Sequence, residues 1–238
     1  QSTWFQVPGA DDFVTDAGVY YNDLPNTSPA GELRRESRKL DAQGRVNWAE
    51  KLDLPGQRGT ELLRIDAEVT DVSRRTVAGS SSALVHPASF YVGVKTTQTG
   101  FVDAPGSVQP EVVAFALDGR RQGGKKVTLE LLERRYTYAR EASGDDYYRG
   151  VSTTVDRQVA RCEVTTEEQK AASCSLAVPA AGYYVIVARS KDERGNPAES
   201  AVAIYAAGAG EPTWQDSERR SVALASPSPD CSSATPWK

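Results

Sequence analysis

Residues 159–205 constrain the fold more than any other stretch of the chain. Cys162 and Cys174 bracket Glu163 to Ser173, a charged and small-residue segment, with strand-like residues on both sides. The run Gly182-Tyr183-Tyr184-Val185-Ile186-Val187-Ala188-Arg189 then leads through Asp192 and Gly195 into Val202-Ala203-Ile204-Tyr205. The order describes a hairpin clipped by a disulfide and followed by two further strands. Such a bridge closes a loop of about a dozen residues and stabilises by roughly 3 kcal/mol on the chain-entropy model. It requires an oxidising compartment, periplasmic or extracellular. The bland alternative is two unrelated reduced thiols. A metal site is not expected, because His86 is the only histidine and no Cys-x-x-Cys spacing occurs. Cys231, in a Ser/Pro-rich tail, is left without a partner by this count.

Elsewhere the period-2 signal recurs and the helical period does not. Leu63, Ile65, Ala67 and Val69 alternate with polar residues, and Val127, Leu129 and Leu131 alternate with Thr128, Glu130 and Leu132. Val112 to Leu117 runs into Asp118-Gly119, and Gly123-Gly124 precedes the next run, residues that tolerate the positive φ of hairpin turns. Further strands are read at 90–95, 134–140, 151–164, 175–178, 183–189 and 201–206. The fold class is all-β, with tandem fibronectin-III or immunoglobulin-like sandwiches. A first unit over 1–86 contains polar strands at 31–40 and 45–54, then 60–71 and 75–86, too few for a complete sandwich. A second spans 87–208, and 209–238 reads as linker and tail. The boundary falls at His86-Pro87, where proline interrupts the ladder. An incomplete first sandwich leaves an edge strand open to self-association or added-strand pairing.

Bulk properties exclude several functions. A hydrophobic fraction of 39% with 25% charged residues is ordinary for a globular protein. No apolar run reaches the ~18 residues of a membrane-spanning helix. A formal charge of -4 offers no general attraction to nucleic acid. The chain contains no methionine and opens on Gln1, as expected of a processed polypeptide or a segment of a longer one.

Chemical motifs mostly dissolve on inspection, and no cofactor is expected. Gly119 to Lys126 (GRRQGGKK) lacks the Ser or Thr after its Gly-Lys and precedes a strand, so it reads as a hairpin turn, not a phosphate loop. His86 has no nucleophile signature to serve and reads as a structural junction residue. Asp145-Asp146 beside Tyr147-Tyr148 lack the spaced oxygen ligands of a calcium loop and read as a solvated loop. Asn26-Thr27-Ser28 is a formal glycosylation acceptor. Glu32 to Lys39 alternates in charge, as a wet strand face does.

Several of these pieces together resemble one family. Val85-His86-Pro87-Ala88-Ser89-Phe90-Tyr91-Val92-Gly93-Val94-Lys95 resembles the junction between successive macroglobulin domains of bacterial α2-macroglobulins. Val112 to Gly119, Gly124 to Arg140, the paired cysteines and the Gly-Tyr-x-x-x-x-Ala-x-x-x-Asp-x-x-Gly pattern at Gly182 to Gly195 resemble the next domain in order, and Trp214 resembles the tryptophan preceding the following module. The resemblance implies a scaffold segment of a protease-trapping inhibitor, in which a target cleaves a bait segment and the chain rearranges around it. Its partners would be target proteases, through the full-length parent, and neighbouring macroglobulin domains. The thioester hallmark of many members, a Cys-x-x-Gln type motif, is absent from Cys162-Glu163-Val164-Thr165, Cys174-Ser175-Leu176-Ala177 and Cys231-Ser232-Ser233-Ala234. No enzymatic constellation can be named. The rival reading is a surface adhesin or receptor module, with Asp145, Asp146, Tyr147 and Tyr148 as a contact patch.

Overall fold

β-Branched and aromatic residues at period two, separated by Gly, Asp and Pro, build a fold made almost wholly of strands. A computed structural model describes residues 3, 5–21, 31–49, 52, 59–96, 101–142 and 148–208. The tail at 209–238, with Trp214 and Cys231, lies outside the described residues, as does the acceptor Asn26. In chain order the elements are α1 (Gly18–Tyr21), β1 (Glu61–Thr70), β2 (Thr76–Val85), β3 (Phe90–Lys95), β4 (Phe101–Ala104), β5 (Gly106–Val108), β6 (Glu111–Ala116), β7 (Arg121–Gln122), β8 (Lys126–Ala142), β9 (Tyr148–Thr165), β10 (Ala172–Ser173), β11 (Leu176–Val178), β12 (Gly182–Lys191) and β13 (Pro197–Gly208).

Two layers enclose the main core. One sheet runs β4-β13-β12-β8-β9, with β4 parallel to β13 and the other pairs antiparallel. The facing layer is built on β10-β6-β3, with β7 beside β6 and a small β11-β5 pair. Between them Phe90, Val92 and Val94 of β3 meet Val127, Leu129 and Leu131 of β8 and Tyr184, Ile186 and Ala188 of β12. Each such side chain, fully buried, contributes roughly 1.5–3 kcal/mol. Adjacent Leu131 and Leu132 lie on opposite faces by the alternation of the strand, Leu131 in the core and Leu132 outside it, and a register shift beside them leaves Val159 of β9 without an opposite residue in the ladder. One polar atom interrupts the core face, the buried Ser200 Oγ, which has no partner among the described residues. Ser200→Ala is therefore expected to be neutral or to stabilise by up to about 1 kcal/mol in urea denaturation, since it removes an unsatisfied hydroxyl.

The outer faces are also apolar, and the N-terminal residues cover them. Tyr91, Val113 and Phe115 point away from the main core and pack under Val7 and Ala10. On the opposite sheet Val185, Val187 and Leu132 pack under Ala17 and Tyr20. Residues 5–20 thus form a strap across both layers. It is pinned at the open side of the sandwich by reciprocal Val14–Val94 backbone bonds of 2.9 Å and by the Ala201 amide donating to the Asp16 carbonyl at 2.9 Å. Gly119 marks where the strap runs closest. Its φ is +86°, and a Cβ there would lie 2.2 Å from the Pro8 carbonyl oxygen.

Three expectations change on this structure. The expected boundary at His86-Pro87 does not divide the packing, because the strap, from the presumed first unit, closes over the second sandwich. Of the strands read in that unit, only the β1–β2 hairpin forms a ladder among the described residues. Residues 31–40 and 45–49 contain no strand among the described residues; charges there pair locally, as in Arg35–Glu32 and Arg38–Glu36, and the apolar Leu33, Val46 and Trp48 stay exposed. Finally, Cys162 and Cys174 are joined with Cα atoms 6.6 Å apart, but the bridge does not clip a hairpin. Cys162 lies in β9, while the chain around Cys174 has crossed to the facing layer, where β10 pairs with β6 and β11 with β5. Thr166 turns the chain for this crossing, donating from Oγ1 to the Gln122 carbonyl at 2.8 Å and accepting from the Lys125 amide at 3.1 Å. Reduction of the bridge is expected to cost roughly 3 kcal/mol, read as a lower urea midpoint with dithiothreitol.

Candidate functional site

Buried polar groups locate the places where this sandwich does more than pack. The first is the root of the β1–β2 hairpin. His86 leaves β2, Pro87 is half-buried beside it, and the His86 Nδ1 atom lies 2.7 Å from the Tyr91 hydroxyl, which is 2.5 Å from Thr60 Oγ1. Phe5 of the strap stacks on Tyr91 and meets His86 edge-on. Burial lowers the His86 pKa below the ordinary imidazole value. The ring therefore sits neutral in a relay of three side chains that ties hairpin, strap and β3 together.

The second is a set of arginines on the large sheet. Arg134 is fully buried, 0% exposed, yet charged; it donates from Nε and Nη2 to both Asp156 carboxylate oxygens at 2.8 and 2.9 Å and from Nη2 to the Tyr20 carbonyl at 3.0 Å. The Tyr20 ring lies against two guanidiniums, 5.3 Å from that of Arg134 and 5.1 Å from that of Arg189. Arg189 in turn pairs with Glu130 and with Glu199. On the opposite face of β8, buried Glu133 accepts from Arg135 and Arg157, and although burial opposes its charge, those two guanidiniums hold its pKa below the usual carboxylate range. These charges hold the strap and the β8–β9 pair in place.

The third is Asp192, in the turn between β12 and β13. Its Oδ1 accepts from the Arg194 and Asn196 amides, both at 2.9 Å, and its Oδ2 from the Ser89 amide and Asn196 Nδ2, both at 3.1 Å. Burial would raise its pKa, but these donors overcome it and bring the value down to about 2. Gly195 completes the turn at a φ of +85°. The Gly182 to Gly195 pattern thus specifies a strand and its tethered turn, not a reaction.

The remaining surface features are open. A groove of about 420 Å³ runs along the strap between Val14, Asp16, Lys95 and Ala201 to Ala203. Its charges are already engaged: Asp16 accepts from the Gly18 amide at 2.7 Å, and Lys95 pairs with Glu111 at 3.2 Å and lies over the Phe13 ring. β8 pairs with β12 only from Thr128 to Glu133, so Arg134–Ala142 and their β9 partners extend as a two-stranded arm, roughly 30 Å long at ~3.3 Å per residue. Asp145, Asp146 and Tyr147 fall in the connection at its end, outside the described residues. Tyr148 opens β9, with its side chain likewise outside the description. Among the described residues no group of three His, Cys, Asp or Glu side chains is placed to hold a metal ion, and no helix is long and apolar enough to cross a membrane. Sequence reasoning missed the Arg134–Asp156 pair and the strap contacts; the adjacent Leu131-Leu132 doublet was the one local sign that β8 buries residues on both of its faces.

The sequence profile described as bacterial macroglobulin domain 6 matches residues 93–207. Among curated proteins none matches the chain. Solved structures of bacterial α2-macroglobulins match part of the chain. The native form from E. coli is 15% identical and covers 62% of this chain and 10% of its own, with a TM-score of 0.45. The Salmonella protein reacted with methylamine is 14% identical over 62% of this chain and 10% of its own, with a TM-score of 0.43. The E. coli protein activated by porcine elastase is 15% identical over 64% of this chain and 13% of its own, with a TM-score of 0.44. The chain spans about a tenth of the length of these proteins. The matched residues hold β4 to β12, the second half of β3 and nearly all of β13, so the disulfide-bridged sandwich is the part of the chain that matches a bacterial macroglobulin domain.

Proposed function

We propose that the chain is a scaffold segment of a protease-trapping inhibitor of the α2-macroglobulin type, working in the periplasm or outside the cell and carrying no catalytic activity itself. The observation that carries this reading is the macroglobulin domain at residues 93–207, in which the buried ionised groups are committed to holding strands, turn and strap. A disulfide between layers suits a compartment where thiols stay oxidised. The segment's work is mechanical: rigid walls with tethered turns pass a rearrangement on to neighbouring macroglobulin domains. Covalent capture would belong to residues outside this chain, because none of its cysteines stands in a Cys-x-x-Gln sequence.

The test compares this chain with the full-length protein that contains it. Incubated with elastase, the full-length protein is expected to shield large protein substrates while leaving cleavage of a small chromogenic peptide intact, as a cage does. The isolated chain is expected to shield neither. Unimpeded digestion of the large substrate by elastase treated with full-length protein sinks the trap; protection by the isolated chain sinks the scaffold role.

A further inference from the structure

The β1–β2 hairpin is fully paired, from Glu61 opposite Val85 to Thr70 opposite Thr76, yet it has little to rest on. Every β2 residue before Val85 is exposed, Val77 to 73%, and no strand of the described residues joins either outer edge. A two-stranded hairpin is marginal in water, and further strands are the usual remedy. One face of this one carries Leu63, Ile65, Val69 and Val77, an apolar ladder that continues only if the sheet does.

The two edges differ in chemistry. β1 carries Arg64, Asp66 and Glu68, charges of the kind that block strand addition. β2 reads Thr-Val-Ala-Gly-Ser-Ser-Ser-Ala-Leu-Val, with neither charge nor proline. The turn fixes which groups face outward. The Asp71 amide donates to the Arg75 carbonyl at 2.9 Å, so the pairs alternating from it, Val69 with Val77 through Leu63 with Ala83, exchange the ladder bonds. Thr76, Ala78, Ser80, Ser82 and Leu84 therefore direct their N–H and C=O groups away from β1.

We propose that this outer edge of β2 pairs antiparallel with β2 of a second copy of the chain, with Ser80 on the two-fold axis. In that register Ala78 lies opposite the partner's Ser82, Thr76 opposite the partner's Leu84, and Val77 opposite the partner's Ala83. Around the axis small residues meet small ones, no like charges are brought together, and residues of equal parity pair, so both apolar ladders fall on one face of a four-stranded sheet. The inference does not depend on the trapping role.

Sedimentation velocity on the 238-residue chain carrying Cys231→Ser, from roughly 1 to 200 µM, is expected to show a reversible monomer–dimer equilibrium. Ser80→Pro deletes an outward N–H while sparing the β1–β2 ladder, so it is expected to keep the far-UV spectrum and weaken dimerisation by about tenfold or more. Ser80→Cys in the same background is expected to cross-link copies on oxidation, since directly opposed residues in such a pair sit about 5.5 Å apart, within disulfide reach. Glu68→Cys, on the outer edge of β1, is expected not to cross-link. A monomer at every concentration overturns the proposal, as does a Ser80→Pro dimer as tight as the parent or equal cross-linking through Glu68→Cys.

Discussion

Asp156→Ala is expected to lower the unfolding free energy by about 3–5 kcal/mol, because it leaves Arg134 charged, fully buried and without its carboxylate. The loss is larger than the net worth of the pair. What it removes is the carboxylate that compensates for desolvating a guanidinium, while the bond to the Tyr20 carbonyl remains. The measurement is urea denaturation followed by circular dichroism. A double replacement, Arg134→Met with Asp156→Leu, separates the two quantities: it removes both charges and is expected to recover most of the lost stability. If the single variant costs less than about 1 kcal/mol, the buried charge is not compensated as described. The same variant should loosen the strap, seen as faster amide exchange at Val14, which bonds to Val94.

Asp192→Ala is the second change with a large expected effect, about 2–4 kcal/mol, from the loss of charge-assisted bonds to Ser89, Arg194 and Asn196. Its pH dependence provides a separate check. The folded pKa of about 2 lies below the ordinary aspartate value near 3.8. The unfolded chain therefore binds the proton more readily, and the stabilisation is fully present above pH ~4 and is lost as pH falls from ~4 towards ~2. The shift corresponds to about 2 kcal/mol at most. Asp192→Asn, which cannot ionise, should flatten this part of the stability curve between pH 4 and 2; an unchanged acid limb in that variant would place the titration elsewhere.

What the sequence made legible was what is local. The run from Phe90 to Lys95 forms β3, and the apolar runs at 112–117 and 183–189 fall on β6 and β12 almost residue for residue. The Gly182 to Gly195 pattern carried the family resemblance, and its physical content is now plain: Ala188 fills the core and Asp192 tethers the turn. What stayed hidden depends on distant partners. β4 and β5 are three or four residues long, beside Pro105, and β4 is held by parallel pairing with β13, about a hundred positions on in sequence. The strap residues Val7, Ala10 and Ala17 follow no period, because each fits a pocket of the sheets and not the face of a regular element. The cysteines announced a bridge correctly in kind, but their polar spacer could not tell a hairpin loop from a crossing between layers. Of the candidate site, the residues at the junction were visible as His86 and Pro87, whereas the relay they join needed Thr60 and Phe5 to be brought alongside.

The strap also sets an order of events in biosynthesis. The bond between the Asp16 carbonyl and the Ala201 amide spans nearly the whole described chain, and the seat for Ala17 and Tyr20 is made of β8, β12 and β13. A growing polypeptide whose synthesis has reached only residue 100 has no place to put that segment. Its apolar side chains must wait until β13 has emerged, and closure of this domain is a late, long-range step of the kind that slows folding. A chaperone that shields the extended segment at residues 5–20 would act on this protein for as long as β13 remains unsynthesised.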